Sequence, residues 1–508
     1  MGNDRSLASL QGVAGGALAG LALSAPDWCP SGPWLMLPAL ALLWSSARRP
    51  GAAGLWGGVA VLVSHRWLLG LHPLMWIGVP APLSLPLAMA VWLTCATAAA
   101  ALVAGWAQLA RWCQPLRWST ALLMACLWGL GEVVLAQGPL FWIGVGGSVI
   151  PADPLLAGLA RWVGAGGLAA LQLLGGWWLW QLTRQPPLQR KGWISLGVGA
   201  VVLAHAWGWW SLRPTEAPAT AAPTLIRMGL WQPALPTREK FNAAQQQRLP
   251  GRLQDALDKA AENGADGLVA PEGTLPLQGE LLEPAPLPLL TGGFRWQRGH
   301  QRSALLLVDA GERRPSLGID KHRLVPLGEW IPSWFGSAAG LSAVGGIEPG
   351  DASRLWPGTG PKPAVAICYE LSDGAALAQA VAGGAEWLLT IANLDPYPEL
   401  LQRQFLALAQ LRSVETARPL LSAANTGPTG MVSAEGKVLQ HLAPMQPGLL
   451  ISALEPQQQL TPYVRWGERP LWLLLMATVI VRVKQRAVGS GRPPTPAPRR
   501  KTRPPGPE

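Results

Sequence analysis

The sequence predicts two architectures in one chain: a polytopic α-helical membrane domain, followed by an α/β layered domain. Three observations predict them. Residues 1–212 break into seven long apolar runs, and residues 224–456 alternate short apolar strands with amphipathic helices. The 508-residue chain is 49% hydrophobic and only 14% charged, with a mean hydropathy of +0.22. So low a charge fraction is unlike a soluble globular chain and assigns much of this one to lipid. The 28 Trp, against 3 Tyr and 5 Phe, crowd the first half, where many flank apolar runs as interfacial anchors do.

The seven runs lie near 7–25, 33–47, 53–71, 83–110, 118–136, 156–182 and 192–210. Each approximates the length that crosses a hydrocarbon core of about 30 Å, the second being short and the fourth long. Arg48-Arg49, Arg111 with Arg117, and Arg184 with Arg190-Lys191 occupy every second loop, while the loops around Asp27, His72 and Asp153 carry little Lys or Arg. The positive-inside rule then puts the N-terminus in the cytoplasm and the segment after the seventh run outside it. Glu132 and Arg161 fall inside runs, where a functional role and a polar helix-to-helix contact both fit. Gly138–Gly144 is too broken for a clean helix and reads as an interfacial or re-entrant loop. No convincing cleavable signal is present, because the basic flank at Arg5 is weak and no clear cleavage site follows.

Residues 213–223 (RPTEAPATAAP) form a linker. Beyond it, strands are predicted at Leu225–Trp231, Gly267–Ala270, Ala364–Ile367, Glu386–Ala392 and Leu420–Ala424, with helices at Arg252–Glu262 and Leu400–Ala417. A turn is expected at Ser372-Asp373-Gly374 and a hairpin over Gly430–Leu439, turning at Glu435-Gly436. Alternation of this kind is an α/β layered pattern. Within residues 457–486, the run Pro470–Val483 reads as an eighth span returning to the cytoplasm, with an interfacial amphipathic helix as the alternative. Residues 487–508 are a basic, Pro-rich tail predicted to be disordered on the cytoplasmic side.

A formal net charge of +11 does not point to nucleic acid, because the basic residues sit in short loops and the tail rather than on a soluble face. Cys29, Cys95, Cys113, Cys126 and Cys368 are too scattered for a disulfide framework. No CxxC occurs, and the six His show no metal spacing, so neither metal nor cofactor is expected.

The chemistry concentrates in three segments: Ala270-Pro271-Glu272-Gly273-Thr274-Leu275-Pro276, the run Asp320–Pro332 (DKHRLVPLGEWIP), and Ala366-Ile367-Cys368-Tyr369-Glu370. Each ends a strand, or its following turn, on a reactive side chain. A thiol must lose its proton to attack; a carboxylate can accept it and an ammonium favours the thiolate. Each residue also has a plainer reading: Cys368 as packing, Glu272 as a turn carboxylate, Lys321 as a solvated lysine, and Glu329 and Glu370 as salt-bridge partners. Tyr369 either orients the thiol or packs.

Glu, Lys and Cys in that order, about fifty residues apart, resemble the carbon–nitrogen hydrolase (nitrilase) superfamily, whose domain is an αββα sandwich. Seven apolar runs before the domain, one after it, the KHRLVPLGEWIP run and Thr461-Pro462-Tyr463 make the chain similar to the apolipoprotein N-acyltransferase family over all but the tail. The resemblance implies about eight transmembrane helices and a catalytic trio of Glu272 (general base), Lys321 (oxyanion stabilisation) and Cys368 (acyl carrier). Glu329, Tyr369 and Glu370 would support them. It implies a phospholipid acyl donor, a diacylated apolipoprotein acceptor, no nucleic acid, a monomer, and an inner-membrane enzyme with its catalytic domain on the periplasmic side. Trp330, Trp334 and Phe335 are expected in a mobile apolar lid or a fixed rim. Two departures stand out: Asn393-Leu394-Asp395-Pro396-Tyr397 replaces the usual Asn-Asp-x-Trp-Phe, and Gly273 follows Glu272 where Ser or Thr is usual. A membrane-tethered amidase acting on a small extracytoplasmic amide is the alternative; a catalytically dead scaffold fits poorly with a complete trio.

Overall fold

The computed structural model describes residues 2–24, 32–75, 79–213, 225–236, 243–326, 328–330 and 346–490. The linker beyond Arg213 and the tail from Gly491 lie outside the described residues, as do Trp334 and Phe335.

Long helices form where the apolar runs predict them: α1 (Gly2–Ala22), α2 (Gly32–Ser46), α3 (Pro50–Ser64), α4 (Ala81–Trp112), α5 (Trp118–Ala136), α6 (Ala160–Leu182) and α7 (Pro187–Leu212). Among the described residues three of them, α4, α5 and α7, are long and apolar enough to cross a membrane. Most apolar side chains of α4 and α7 face outward, as a lipid-exposed surface requires, whereas α5 packs within the bundle. Two runs are not the continuous spans that their hydropathy suggests. The third stops at Ser64, and its remainder, Arg66–Leu71, is a 3₁₀ turn that folds under the α/β half. The sixth divides into a short helix, Pro154–Ala157, and α6, which itself breaks at Gly164 (φ 63°). Hydropathy reports lipid solubility and is blind to such a break. The loop Gly138–Ile143 is irregular and ends in a short helix, Gly144–Gly147, with Phe141 and Ile143 buried.

The remaining chain forms β1 (Ile226–Gln232), α8 (Ala243–Glu262), β2 (Gly267–Leu275), β3 (Leu289–Gln297), β4 (His300–Val308), β5 (Leu317–Asp320), β6 (Pro363–Ile367), α9 (Gly374–Ala382), β7 (Trp387–Ala392), α10 (Glu399–Thr416), β8 (Leu420–Ala424), β9 (Gly430–Val432), β10 (Val438–His441), β11 (Gly448–Leu454) and α11 (Arg469–Ser490). One sheet runs β11-β1-β2-β3-β4-β5 and the other β10-β9-β8-β7-β6. They face each other through β1 and β2 against β7 and β8, with α8 outside the first sheet and α9 and α10 outside the second. The result is an αββα sandwich. The expected turn after the cysteine is a 3₁₀ turn (Cys368–Ser372) that leads straight into α9, whose N-terminus Asp373 caps by accepting from the Ala376 N–H at 3.0 Å.

The two halves join at helix ends. Backbone groups at a helix terminus have no intrahelical partner and cost free energy if buried unpaired. Gln404 on α10 donates to the carbonyls of Leu23 and Ser64, at the ends of α1 and α3, both at 2.9 Å. Arg323 donates to the carbonyl of Ala136 at the end of α5. At the α6 break, the freed N–H of Ala165 donates to Glu415 at 2.7 Å, and Glu415 is itself paired with Arg412. Glu132 and Arg161 are spent in the same way: Glu132 accepts from Trp128 and from the N–H groups of Val145 and Gly146, and Arg161 donates to the carbonyls of Ser211 and Ala434. Both are polar contacts between elements.

The α6 break needs glycine, since a Cβ on Gly164 would lie 2.3 Å from the Tyr463 ring. Gly164→Ala should therefore destabilise by about 2 kcal/mol or more, read as a lower midpoint of thermal unfolding in detergent. An unchanged midpoint would show that the break is not required.

Candidate active site

Strand ends deliver the chemistry. Cys368 directly follows β6, Asn393 follows β7 and Asn425 follows β8, so three adjacent parallel strands finish at one place. Glu272 comes from the facing sheet, at a bulge where the β2–β3 register slips between Ala270 and Leu275. Gly273 (φ 67°) makes the bulge possible, which gives the departure from the usual Ser or Thr a backbone role. Gly292 on β3 lets it fit, since a Cβ there would sit 2.3 Å from the Glu272 Cα. Lys321 directly follows β5.

The structure brings Glu272, Lys321, Glu329 and Cys368 together. Lys321 is 1% exposed, and its Nζ lies 2.7 Å from Glu272 Oε1 and 2.8 Å from Glu329 Oε2. Glu329 also accepts from the Val325 N–H at 2.9 Å, which folds the KHRLVPLGE run back on itself. Glu272 Oε2 accepts from the Asn393 N–H at 3.1 Å, and Asn393 Oδ1 accepts from Asn425 at 3.0 Å. The Cys368 thiol lies within electrostatic reach of Glu272, Lys321 and Glu329. Cys368 is 4% exposed and has φ 56°, a strained left-handed conformation that non-glycine residues adopt mainly where the surroundings enforce it.

Electrostatics set the protonation states. Burial opposes a charge on Lys321, but Glu272 and Glu329 outweigh it and hold the ammonium well above the ordinary lysine range. Burial, then the negative charge of Glu272, push the Cys368 thiol well above the ordinary cysteine range, against the pull of Lys321. Burial raises Glu329 despite Lys321. Cys368 therefore rests as a thiol, beside a carboxylate that could take its proton.

Glu370 does not enter this cluster. It is buried and accepts from Arg354 at 2.9 Å, from the N–H groups of His322 (2.7 Å) and Arg323 (3.1 Å), and from the Ile367 N–H (2.8 Å). One carboxylate thus ties the chain just after Lys321 to the chain just before Cys368. Tyr369 points the other way, into an aromatic floor. Its ring lies 6.4 Å from that of Trp67 and 5.6 Å from that of Phe141, and Tyr397 neighbours its hydroxyl. Tyr397 in turn meets Trp67 edge-on at 5.1 Å, and burial pushes its phenol up to about 12. Trp330 is 45% exposed and lies outside the cluster.

Sequence reasoning missed Arg354, Tyr397, Trp67 and Phe141. The one available signal was rarity: the chain has only 3 Tyr, and two of them meet beside the cysteine. Among the described residues no group of His, Cys, Asp and Glu is arranged to hold a metal ion.

Fold and site define an enzyme of the acyl-transferring class, built on a membrane helical bundle. No family model matches the chain. Curated relatives do. An apolipoprotein N-acyltransferase of Prochlorococcus marinus (strain MIT 9313) is 58% identical over 492 residues, covering 94% of this chain and 97% of its own. One from Parasynechococcus marenigrum (strain WH8102) is 55% identical, covering 92% and 100%. Among solved structures, an amidase from Nesterenkonia sp. aligns with 48% of this chain and 95% of its own, at 17% identity and a TM-score of 0.34. The chain belongs to the apolipoprotein N-acyltransferase family.

Two outcomes follow. Because the thiol is raised, alkylation of Cys368 by iodoacetamide should speed up with pH through a midpoint above that of free cysteine, near ~8.5. Lys321→Met, which removes the cation that favours thiolate, should move that midpoint higher still. A midpoint at or below that of free cysteine would contradict this site. Glu370→Ala would leave Arg354 buried without its partner, a loss of about 3–5 kcal/mol, visible as a large fall in unfolding midpoint; a fall of a degree or less would rule out the brace.

Proposed function

We propose that this enzyme moves a fatty acyl chain from a membrane phospholipid, through a thioester on Cys368, to the α-amino group of the diacylglyceryl-cysteine that begins an apolipoprotein. The observation that carries the reading is the buried ammonium between two carboxylates, beside a thiol that ends a core strand.

In the first half-reaction Glu272 takes the thiol proton as sulfur attacks the donor's ester carbonyl. The oxyanion that forms is stabilised by Lys321, whose Nζ has three N–H donors and spends two on Glu272 and Glu329. The C–O bond then breaks, and the departing lysophospholipid oxygen takes the proton from Glu272. In the second half-reaction the lipoprotein amine attacks the thioester, gives a proton to Glu272, and displaces sulfur, which recovers that proton as thiol. Two half-reactions on one cysteine suit substrates that are both lipid-anchored and reach the site in turn.

The reading takes residues 1–212 as a membrane domain, 224–456 as the catalytic domain and 457–486 as the return through the bilayer, for about eight spans. It places the catalytic domain on the periplasmic side of the inner membrane, with both termini cytoplasmic and the protein a monomer. The helix ends support this topology. If α1, α3, α5 and α7 run outward, the ends of the first three emerge on the side where α7 hands over to the sandwich, and the sandwich contacts all three. Trp330, exposed beside the cluster, belongs to the lipid-facing rim or lid.

The test is purified protein in nanodiscs containing phospholipid with a labelled acyl chain. A hydroxylamine-sensitive label should appear on the protein, vanish in Cys368→Ala, and pass to an added diacylated lipopeptide. Absence of labelled protein, together with ammonia release from small amides, would overturn the proposal.

A further inference from the structure

We infer that Arg323 is a positioning residue that holds the catalytic loops at a set height over the membrane bundle. The inference rests on the acyl-transfer reading above and assigns a role to a side chain two residues from Lys321.

The argument starts from its partners. Arg323 is largely buried, and its Nη2 lies 2.6 Å from Asp373 Oδ2, while Nη1 donates to the carbonyl of Ala136. Ala136 is the last residue of α5, so its carbonyl is one of the groups a helix end leaves unpaired. A guanidinium there also meets the negative end of the helix dipole. Asp373 lies five residues beyond Cys368 and caps α9. One planar side chain therefore joins the lysine loop, the cysteine elbow and a membrane helix.

A second contact runs in parallel, because the Trp142 N–H donates to Ser372 Oγ at 3.0 Å. Glu370 fixes Lys321 and Cys368 relative to each other within the sandwich. Arg323 does a different job, fixing that pair relative to the bundle. Chemistry at the sulfur needs the first link. Delivery of an ester carbonyl from a bilayer lipid, whose depth the membrane sets, needs the second as well.

The two links separate by choice of donor. Full-length Arg323→Ala protein in nanodiscs is compared with the parent protein for acylation of Cys368 by labelled bilayer phospholipid and by water-soluble p-nitrophenyl butyrate. The expected result is a tenfold or greater loss of rate with phospholipid and less than a threefold loss with the soluble ester. Parallel losses, or a phospholipid rate within threefold of the parent, would overturn the inference. If Arg323→Ala shows no cooperative unfolding transition, Arg323→Lys carries the same comparison. It keeps a charge at the helix end but cannot reach both acceptors with a fixed fork, so the same donor-selective loss is expected. A parent protein acylated by neither donor would instead count against the acyl-transfer reading itself.

Discussion

A lysine that is 1% exposed can stay charged only if its lost hydration is replaced, and two carboxylates replace it for Lys321. That requirement propagates outward. Glu272 must reach the ammonium from the opposite sheet, which takes the β2 bulge, Gly273 in it and Gly292 beneath it. Glu329 must reach it from eight residues along the chain, which folds the following loop into a tight return closed on the Val325 N–H. Burial, with two negative charges around one positive, then leaves the neighbouring thiol protonated.

The same economy governs the junction between bundle and sandwich. Its polar contacts are directed at backbone groups that helices leave unpaired: an amide on two helix ends, a guanidinium on a third, and a carboxylate on the N–H freed where α6 breaks. Each contact has the sign that the helix end favours. Interfaces made this way are directional, because moving α10 by one turn would withdraw Gln404 from the carbonyls of Leu23 and Ser64. The cluster of Glu272, Lys321 and Cys368 inherits its placement over the helical bundle from these few bonds.

How much of this was legible in the sequence depended on whether a feature is local. Glu272, Lys321 and Cys368 could be found because each lies in a recognisable run, Lys321 and Cys368 just after a short strand and Glu272 at a bulge within one. The apolar runs could be found because a helix in lipid needs an uninterrupted stretch of chain. Arg354 could not: it sits in an unremarkable loop and matters only because folding puts it on Glu370. Strands β3 and β4 escaped notice since Gly292-Gly293 and the arginines around them blur the alternation that marks a strand. The helix α9 was hidden by reading Asp373-Gly374 as a turn, although an aspartate before an Ala-rich stretch is equally a helix start. Tyr397 falls where the chain departs from its family's pattern, and its partnership with Tyr369 is a property of three-dimensional neighbours alone.

The aromatic floor has a consequence for how this protein tolerates change in length. Trp67 comes from the 3₁₀ turn after α3 and Phe141 from the irregular loop after α5, and both pack directly beneath Tyr369. On a diagram of spans those two segments are mere connectors, the places where an added tag or a few extra residues are normally harmless. Here an inserted residue in either would shift a ring out from under Tyr369. The connectors after the third and fifth helices thus belong to the α/β half in every sense except chain order, and a sandwich excised after α7 would leave without the aromatic floor beneath Tyr369.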